Sequence, residues 1–258
     1  MTLFKLNKNY ILTSSLAKRD DRKFLRLLHL YTPSNNYKLA FTLAEVLITL
    51  LIIGVVSSLV IPNIIQDTQD AELKTALKKT YSTLSQAYIN ILSDNAGNLK
   101  DVCSGSFPNS TCLKNLFDPY LNINKSCTNS AAQGCWHIAN KWYYINPAIV
   151  CGGVNAGIFD NCGNKTNGFP GYVLNDGSFM TIVLWDGTCT DTLYSNFSKC
   201  GYISFDVNGF KGPNTVGKDI FAIWIRDNRI SPVGYVDVYQ ELCETHMGWG
   251  CTAKYLKE

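Results

Sequence analysis

The stretch Phe41–Ile65, FTLAEVLITLLIIGVVSSLVIPNII, constrains this chain more than any other feature, because its 25 residues carry a single charge, Glu45. As a helix it would span roughly 37 Å at about 1.5 Å per residue, enough to cross a hydrocarbon core of about 30 Å. A cleaved secretory signal has a shorter apolar region, about 7–15 residues, followed by a small-x-small site. Here Pro62-Asn63 leads instead into another amphipathic segment. The pattern predicts a membrane-spanning helix over 41–65.

Charge orients that helix. Residues 1–40 hold Lys5, Lys8, Lys18, Arg19, Arg22, Lys23, Arg26 and Lys38 against Asp20 and Asp21, a net +6. The whole chain sums to +3, so everything after residue 40 sums to −3. A basic flank stays in the cytoplasm, which directs the remainder outward. The mildly acidic balance of that remainder points to no nucleic-acid partner.

Glu45 needs an explanation, since a carboxylate within an apolar helix costs on the order of 2–3 kcal/mol unless it is paired or interfacial. A solvated glutamate near the cytoplasmic end is the plain reading. The residues around it add a second one. Lys38-Leu39-Ala40 followed by Phe-Thr-Leu-Ala-Glu resembles the class III signal of type IV prepilins and type II secretion pseudopilins. The resemblance implies that a membrane prepilin peptidase cuts between Ala40 and Phe41, removes residues 1–40 as a cytoplasmic leader and methylates the new N-terminus. It also implies that Glu45 neutralises the N-terminal amine of a neighbouring subunit. The physical logic agrees, because a buried ammonium and a buried carboxylate are each costly alone and tolerable together.

Gly54 and Pro62 stand where pilin helices carry a pair of breakers. Gly weakens a helix by about 1 kcal/mol and interior Pro by about 3 kcal/mol, so the turns between them are expected to loosen within a packed filament. A simple kinked membrane helix is the alternative. Two departures from the family pattern are Ala40, where Gly is usual, and the length of the leader. The resemblance covers Lys38 to about Asn95 and is diffuse beyond.

Past Ile65 the chain turns polar but keeps a helical period. Leu73, Leu77, Tyr81, Leu84, Tyr88 and Ile91 form one apolar stripe, with Lys74, Lys78, Lys79 and Gln86 off it. The stripe predicts an amphipathic helix over 66–95 that packs on the sheet of a head formed by residues 96–258. Residues 96–170 are rich in Asn, Ser and Gly and are expected to be mostly irregular, with a short strand near Trp136–Ile145. Strand patterns then cluster at Tyr172–Leu174, Ser178–Trp185, Tyr202–Val207 and Ile220–Arg226, with turns at Asn175-Asp176-Gly177 and Asp227-Asn228. The expected fold class is α+β, a long N-terminal helix on a small antiparallel sheet, as in the type IV pilin-like fold.

All ten cysteines lie beyond the apolar block, as an oxidising compartment would produce. The simplest pairing joins sequence neighbours: Cys103 with Cys112, Cys127 with Cys135, Cys151 with Cys162, Cys189 with Cys200 and Cys243 with Cys251. Sequence leaves the other connectivities open. Zinc is disfavoured, because no C-x-x-C occurs and Cys243 and His246 have no second pair at zinc-site spacing.

The run Asp206-Val-Asn208-Gly209-Phe-Lys-Gly212-Pro213-Asn214, followed by Gly217 and Asp219, is similar to a D-x-N-G…G-P-N…G-x-D stretch of many pilin-like proteins. Two readings stay open. Asx and Gly residues supply turn geometry, and the oxygens of Asp206, Asn208 and Asp219 are also suitable calcium donors. EF-hand spacing fails, with Phe210 and Gly217 at ligand positions. No cofactor beyond that calcium is indicated.

Gly152-Gly153-Val-Asn-Ala-Gly157 is not a dinucleotide fingerprint, and no P-loop, H-E-x-x-H or G-x-S-x-G occurs. The expectation is a structural subunit of a type II secretion pseudopilus or a type IV pilus, not an enzyme. The glycine- and asparagine-rich motif inclines toward the pseudopilus. Its partners would be prepilin peptidase, other pilin or pseudopilin subunits, an inner-membrane assembly platform and membrane lipid. It would sit in a bacterial inner membrane as a single pass, N-terminus cytoplasmic and head outside. The rival is a bitopic ligand-binding protein that does not polymerise.

Overall fold

The apolar block and the amphipathic stripe belong to one helix, α1, which runs Leu43–Asp94 with Pro62 inside it. The computed structural model describes residues 42–103, 109–137, 142–146, 169–193, 195–240, 243 and 247–258. The chain divides into two compact units, with the boundary between Val56 and Ser57. Over the apolar block the large side chains of α1 are exposed, and Leu43 through Ile65 are between 42% and 79% exposed wherever the residue is Val, Leu or Ile. Among the described residues this is one helix long and apolar enough to cross a membrane.

In the second unit the stripe does what its spacing predicts. Leu77, Leu84, Tyr88 and Ile91 are buried, with Leu73 and Tyr81 packed at the margin. Burying each such side chain contributes about 1.5–3 kcal/mol. The hydroxyl of Tyr88 donates to the Arg226 carbonyl, tying the helix to the far end of the sheet.

That sheet is a six-stranded antiparallel meander in sequence order. Its strands are β1 Ile123–Cys127, β2 Gly171–Leu174, β3 Phe179–Leu184, β4 Gly201–Asp206, β5 Ile220–Ile225 and β6 Ile230–Pro232. The β2–β3 hairpin turns at Asn175-Asp176-Gly177, where Gly177 has φ of +86°, a backbone region that favours glycine. Asp227-Asn228 joins β5 to β6, whose register pairs Ile225 with Ile230.

Side chains alternate between the two faces, and both faces are covered. Met180, Ile182, Leu184, Ile203, Phe205, Phe221, Ile223 and Ile225 share a core with α1. Phe179, Val183, Tyr202, Ala222 and Trp224 form a second core with Trp136, Trp142, Tyr144, Tyr239 and Trp249 from the loops. Every residue of β3, β4 and β5 is therefore buried. A helix on one side of a sheet does not by itself predict this second layer. The unbroken apolar run of β5, IFAIWI, is its mark in the sequence.

The second core also encloses Lys199, which has no exposed surface. Its ammonium lies 3.1 Å from Asp191 Oδ2 and 5.3 Å from the Trp224 ring, and it donates to the Leu193 carbonyl.

The segment 96–170 is more regular than its composition suggests. It contains helix α2, Ser110–Phe117, a short 3-10 turn at Asp118–Tyr120, and strand β1. Leu113 and Phe117, one turn apart, anchor α2 in the first core. β1 escaped notice because it is an edge strand with mostly exposed polar residues. The strand expected near Trp136–Ile145 is reduced, among the described residues, to a single bridge from Tyr143 to Thr215. A C-terminal helix, α3, spans Cys251–Lys257, and its Thr252 hydroxyl accepts the Ala222 N–H beyond the short edge strand β6.

Candidate functional site

The start of α1 is built by two residues three apart. The Glu45 Oε2 accepts the backbone N–H of Thr42 at 2.8 Å and its hydroxyl at 2.9 Å, while the Glu45 N–H donates to Thr42 Oγ1 at 3.2 Å. This is a capping box, in which side chains reciprocally satisfy donors that a helix start leaves without partners. Capping is a further role for Glu45, beside those of a solvated interfacial carboxylate and an assembly residue. The T-x-x-E spacing ahead of an apolar run was the signal for that role. Ala40 and Phe41, the residues at the expected cut, lie outside the described residues.

Gly54 and Pro62 are both inside α1. A Cβ added at Gly54 would meet nothing within 4 Å among the described residues, so packing among them does not require the glycine. Pro62 lacks an N–H and removes one rung of the helix ladder. Next to it, Asn63 Nδ2 donates to the Leu59 carbonyl at 3.4 Å.

In the head, Asp206, Asn208 and Asp219 converge on the loop between β4 and β5. Asp206 Oδ1 accepts the N–H groups of Asn208 (3.0 Å) and Gly209 (2.8 Å). Its Oδ2 lies 2.8 Å from Nε2 of His137, and both side chains are buried. Asp219 accepts the N–H groups of Asn214 and Thr215, each at 2.6 Å. Asn208 donates to the Gly212 carbonyl at 3.2 Å. Gly209 has φ of +67°, and a Cβ there would stand 2.4 Å from the Gly177 carbonyl oxygen, so this loop and the β2–β3 turn touch where only glycine fits.

Burial pushes the Asp206 carboxyl above its usual range, opposed by His137 and the two amides. Asp219 is pushed up to about 6, by burial first and the charge of Asp206 second. These carboxylates are turned inward onto backbone donors, the geometry of a structural turn. Among the described residues no three His, Cys, Asp or Glu side chains gather as a metal would require. His137 had no partner legible in sequence, because 69 residues separate it from Asp206.

Four disulfides staple the head: Cys103–Cys112, Cys127–Cys135, Cys189–Cys200 and Cys243–Cys251. Cys151 and Cys162 lie outside the described residues. Loops closed by local bridges compensate for a region poor in regular structure by restricting its unfolded state.

Residues 35–61 match the family model of the prokaryotic N-terminal methylation motif. No curated protein and no solved structure matches the chain. The motif spans the expected cut, the capped glutamate and most of the exposed apolar helix. It implies processing by prepilin peptidase and assembly with other pilin subunits, and together with the long apolar helix it points to an inner-membrane anchor. A methylation motif leading into a long apolar helix and then a disulfide-bonded antiparallel head supports a type IV pilin-like or pseudopilin protein.

Proposed function

We propose that this chain is a structural subunit of a type II secretion pseudopilus or a type IV pilus, cleaved between Ala40 and Phe41 and N-methylated at Phe41. The observation that carries this reading is the methylation motif running directly into a long helix whose large apolar side chains are exposed. Such a helix is stable in lipid and equally stable against copies of itself. A subunit can therefore wait in the membrane, N-terminus inward, and later leave it for a filament through an assembly platform. The role is mechanical rather than catalytic, and the D-x-N-G…G-P-N…G-x-D loop of the head inclines it toward the secretion pseudopilus.

Two measurements test it together. N-terminal sequencing of the mature protein should return N-methyl-Phe41, and sheared surface fractions or pseudopilus preparations should contain the processed chain. Ala40→Leu should block cleavage, since the peptidase must fit a small side chain beside the scissile bond. An uncleaved wild-type chain, monomeric in the membrane, would identify a bitopic ligand-binding protein instead.

A further inference from the structure

We propose that Lys199 and Asp191 condense, Lys199 Nζ to Asp191 Cγ, into an intramolecular isopeptide bond that cross-links the connection between β3 and β4. The two residues form an isolated antiparallel bridge, in which the Lys199 N–H donates to the Asp191 carbonyl at 2.9 Å. The Cys189–Cys200 disulfide closes the same connection just outside them. Bridge and disulfide together fix both backbones, so the side chains meet in one arrangement. Lys199 Nζ lies 3.1 Å from Asp191 Oδ2, and the carboxyl carbon is one bond beyond that oxygen.

The surroundings suit amide formation. Lys199 has no exposed surface, and its ammonium lies 5.8 Å from the Trp185 ring and 5.3 Å from the Trp224 ring. Burial pushes the ammonium below its ordinary value, opposed by Asp191 and by the charge of Asp237. A buried ion pair carries a desolvation cost that a neutral amide escapes. Both oxygens of Asp191 already meet N–H donors, Leu193 reaching Oδ1 at 2.9 Å and the Trp185 indole reaching Oδ2 at 2.8 Å. Donors fixed in place before reaction stabilise a developing oxyanion. The Asp191 side chain keeps 26% exposure, which leaves a departing water a way out.

The atoms balance without a further reactant. The ammonium gives one proton to Asp191 Oδ2, leaving an amine beside a carboxylic acid. The amine lone pair attacks Cγ, and negative charge collects on Oδ1 against the Leu193 N–H. A second proton passes from the nitrogen to the Oδ2 hydroxyl, the Cγ–Oδ2 bond breaks and one water leaves. The amide keeps the third proton. Two groups held in a reactive geometry gain effective molarities of about 10⁵–10⁸ M, which offsets the cost of condensing them in a wet environment.

The ion pair described above is the reactant. Because Cys189–Cys200 already closes the loop, the amide adds little to stability. Its consequence is chemical, in that the loop stays closed after the disulfide is reduced.

The test uses the full-length chain, exported and oxidised in cells, then reduced, alkylated and digested with trypsin for mass spectrometry. In the wild-type protein the peptide holding Asp191 should run uncut through Lys199 and weigh one water less than its sequence requires. Lys199→Arg and Asp191→Ala should each abolish the loss of water, and trypsin should cut after residue 199 in both. Full mass with cleavage after Lys199 in the wild type would overturn the bond. So would a lost water in a peptide that trypsin still cuts after Lys199, since the dehydration would then lie elsewhere, as at Asp176-Gly177 or Asp186-Gly187. The wild-type peptide decides the matter even if neither variant folds.

Discussion

Glu45 holds Thr42 twice through one carboxylate oxygen, Oε2, at 2.8 Å to the N–H and 2.9 Å to the hydroxyl. The other oxygen, Oε1, has no hydrogen-bond partner among the described residues. One carboxylate can therefore cap its own helix and still receive an ammonium from a neighbouring chain.

The two roles of Glu45 separate by substitution. Glu45→Val should leave insertion and cleavage intact but strand the amine of Phe41 in a packed filament. Breaking one half of a buried pair costs on the order of 3–5 kcal/mol, so we predict a cleaved, membrane-resident protein nearly absent from sheared filaments. Glu45→Gln keeps a capping side chain without the charge and should fail in the same way. If the glutamine variant assembles like wild type, the cap and not the charge is what assembly needs.

Thr42→Ala removes the other half of the box. Loss of an N-cap typically costs about 1 kcal/mol, a factor of about five in a local opening equilibrium. Amide exchange at residues 43–46 should accelerate by that order in detergent-solubilised protein, and Thr42→Ser should behave as wild type. Equal exchange in all three proteins would mean that the box contributes nothing to the helix start.

The head should become more stable as pH falls from 7 toward 5. Asp219 titrates near 6 in the folded protein against about 3.9 unfolded. In that window the folded state binds more protons, so stability drops as pH rises through it. Asp206, also pushed up by burial, acts in the same direction. Asp186, held down at about 2 by N–H and hydroxyl donors of Thr188 and Thr190, has the opposite sign, and its contribution is lost only below about pH 4. Thermal melts across pH 5–7 should show the rise, and Asp219→Asn should flatten the slope whatever it does to the melting temperature. An unchanged slope in that variant would place the titration elsewhere.

Lys199 is the buried charge whose loss should be felt most. Removing it deprives Asp191 of its ammonium and leaves a gap between Trp185 and Trp224. Breaking such a pair costs about 3–5 kcal/mol, so Lys199→Ala should shift urea unfolding of the oxidised protein by that amount. A shift below about 1 kcal/mol would show that the pair is neutral in this context.

Local pattern made much of this protein legible. The apolar block, the Leu73–Ile91 stripe and the Asn175-Asp176-Gly177 hairpin are all carried by residues near one another in the chain, and each appears where its period predicts. Edge strand β1 was not legible because its polar, exposed residues lack an alternating pattern. Helix α2 was hidden within a loop-like composition, its apolar contacts resting on Leu113 and Phe117.

By itself the sequence determined the anchor. Leu43–Ile65 can be a helix by itself, since its backbone bonds are internal and its side chains suit lipid. The methylation motif is likewise a linear signal, carried by residues adjacent in the chain. Only the tertiary structure decided the second aromatic core, the burial of Lys199 and the His137–Asp206 contact. The aromatic core and the His137–Asp206 contact join residues far apart in sequence, and Lys199 is enclosed by its own β3–β4 connection and Trp224. Nothing in local periodicity says which loop will cover the outer face of the sheet. The backbone amides that Asp206 and Asp219 accept were placed in the same way. Their oxygens suit either calcium or backbone amides, and only the folded loop shows the amides pointing at them.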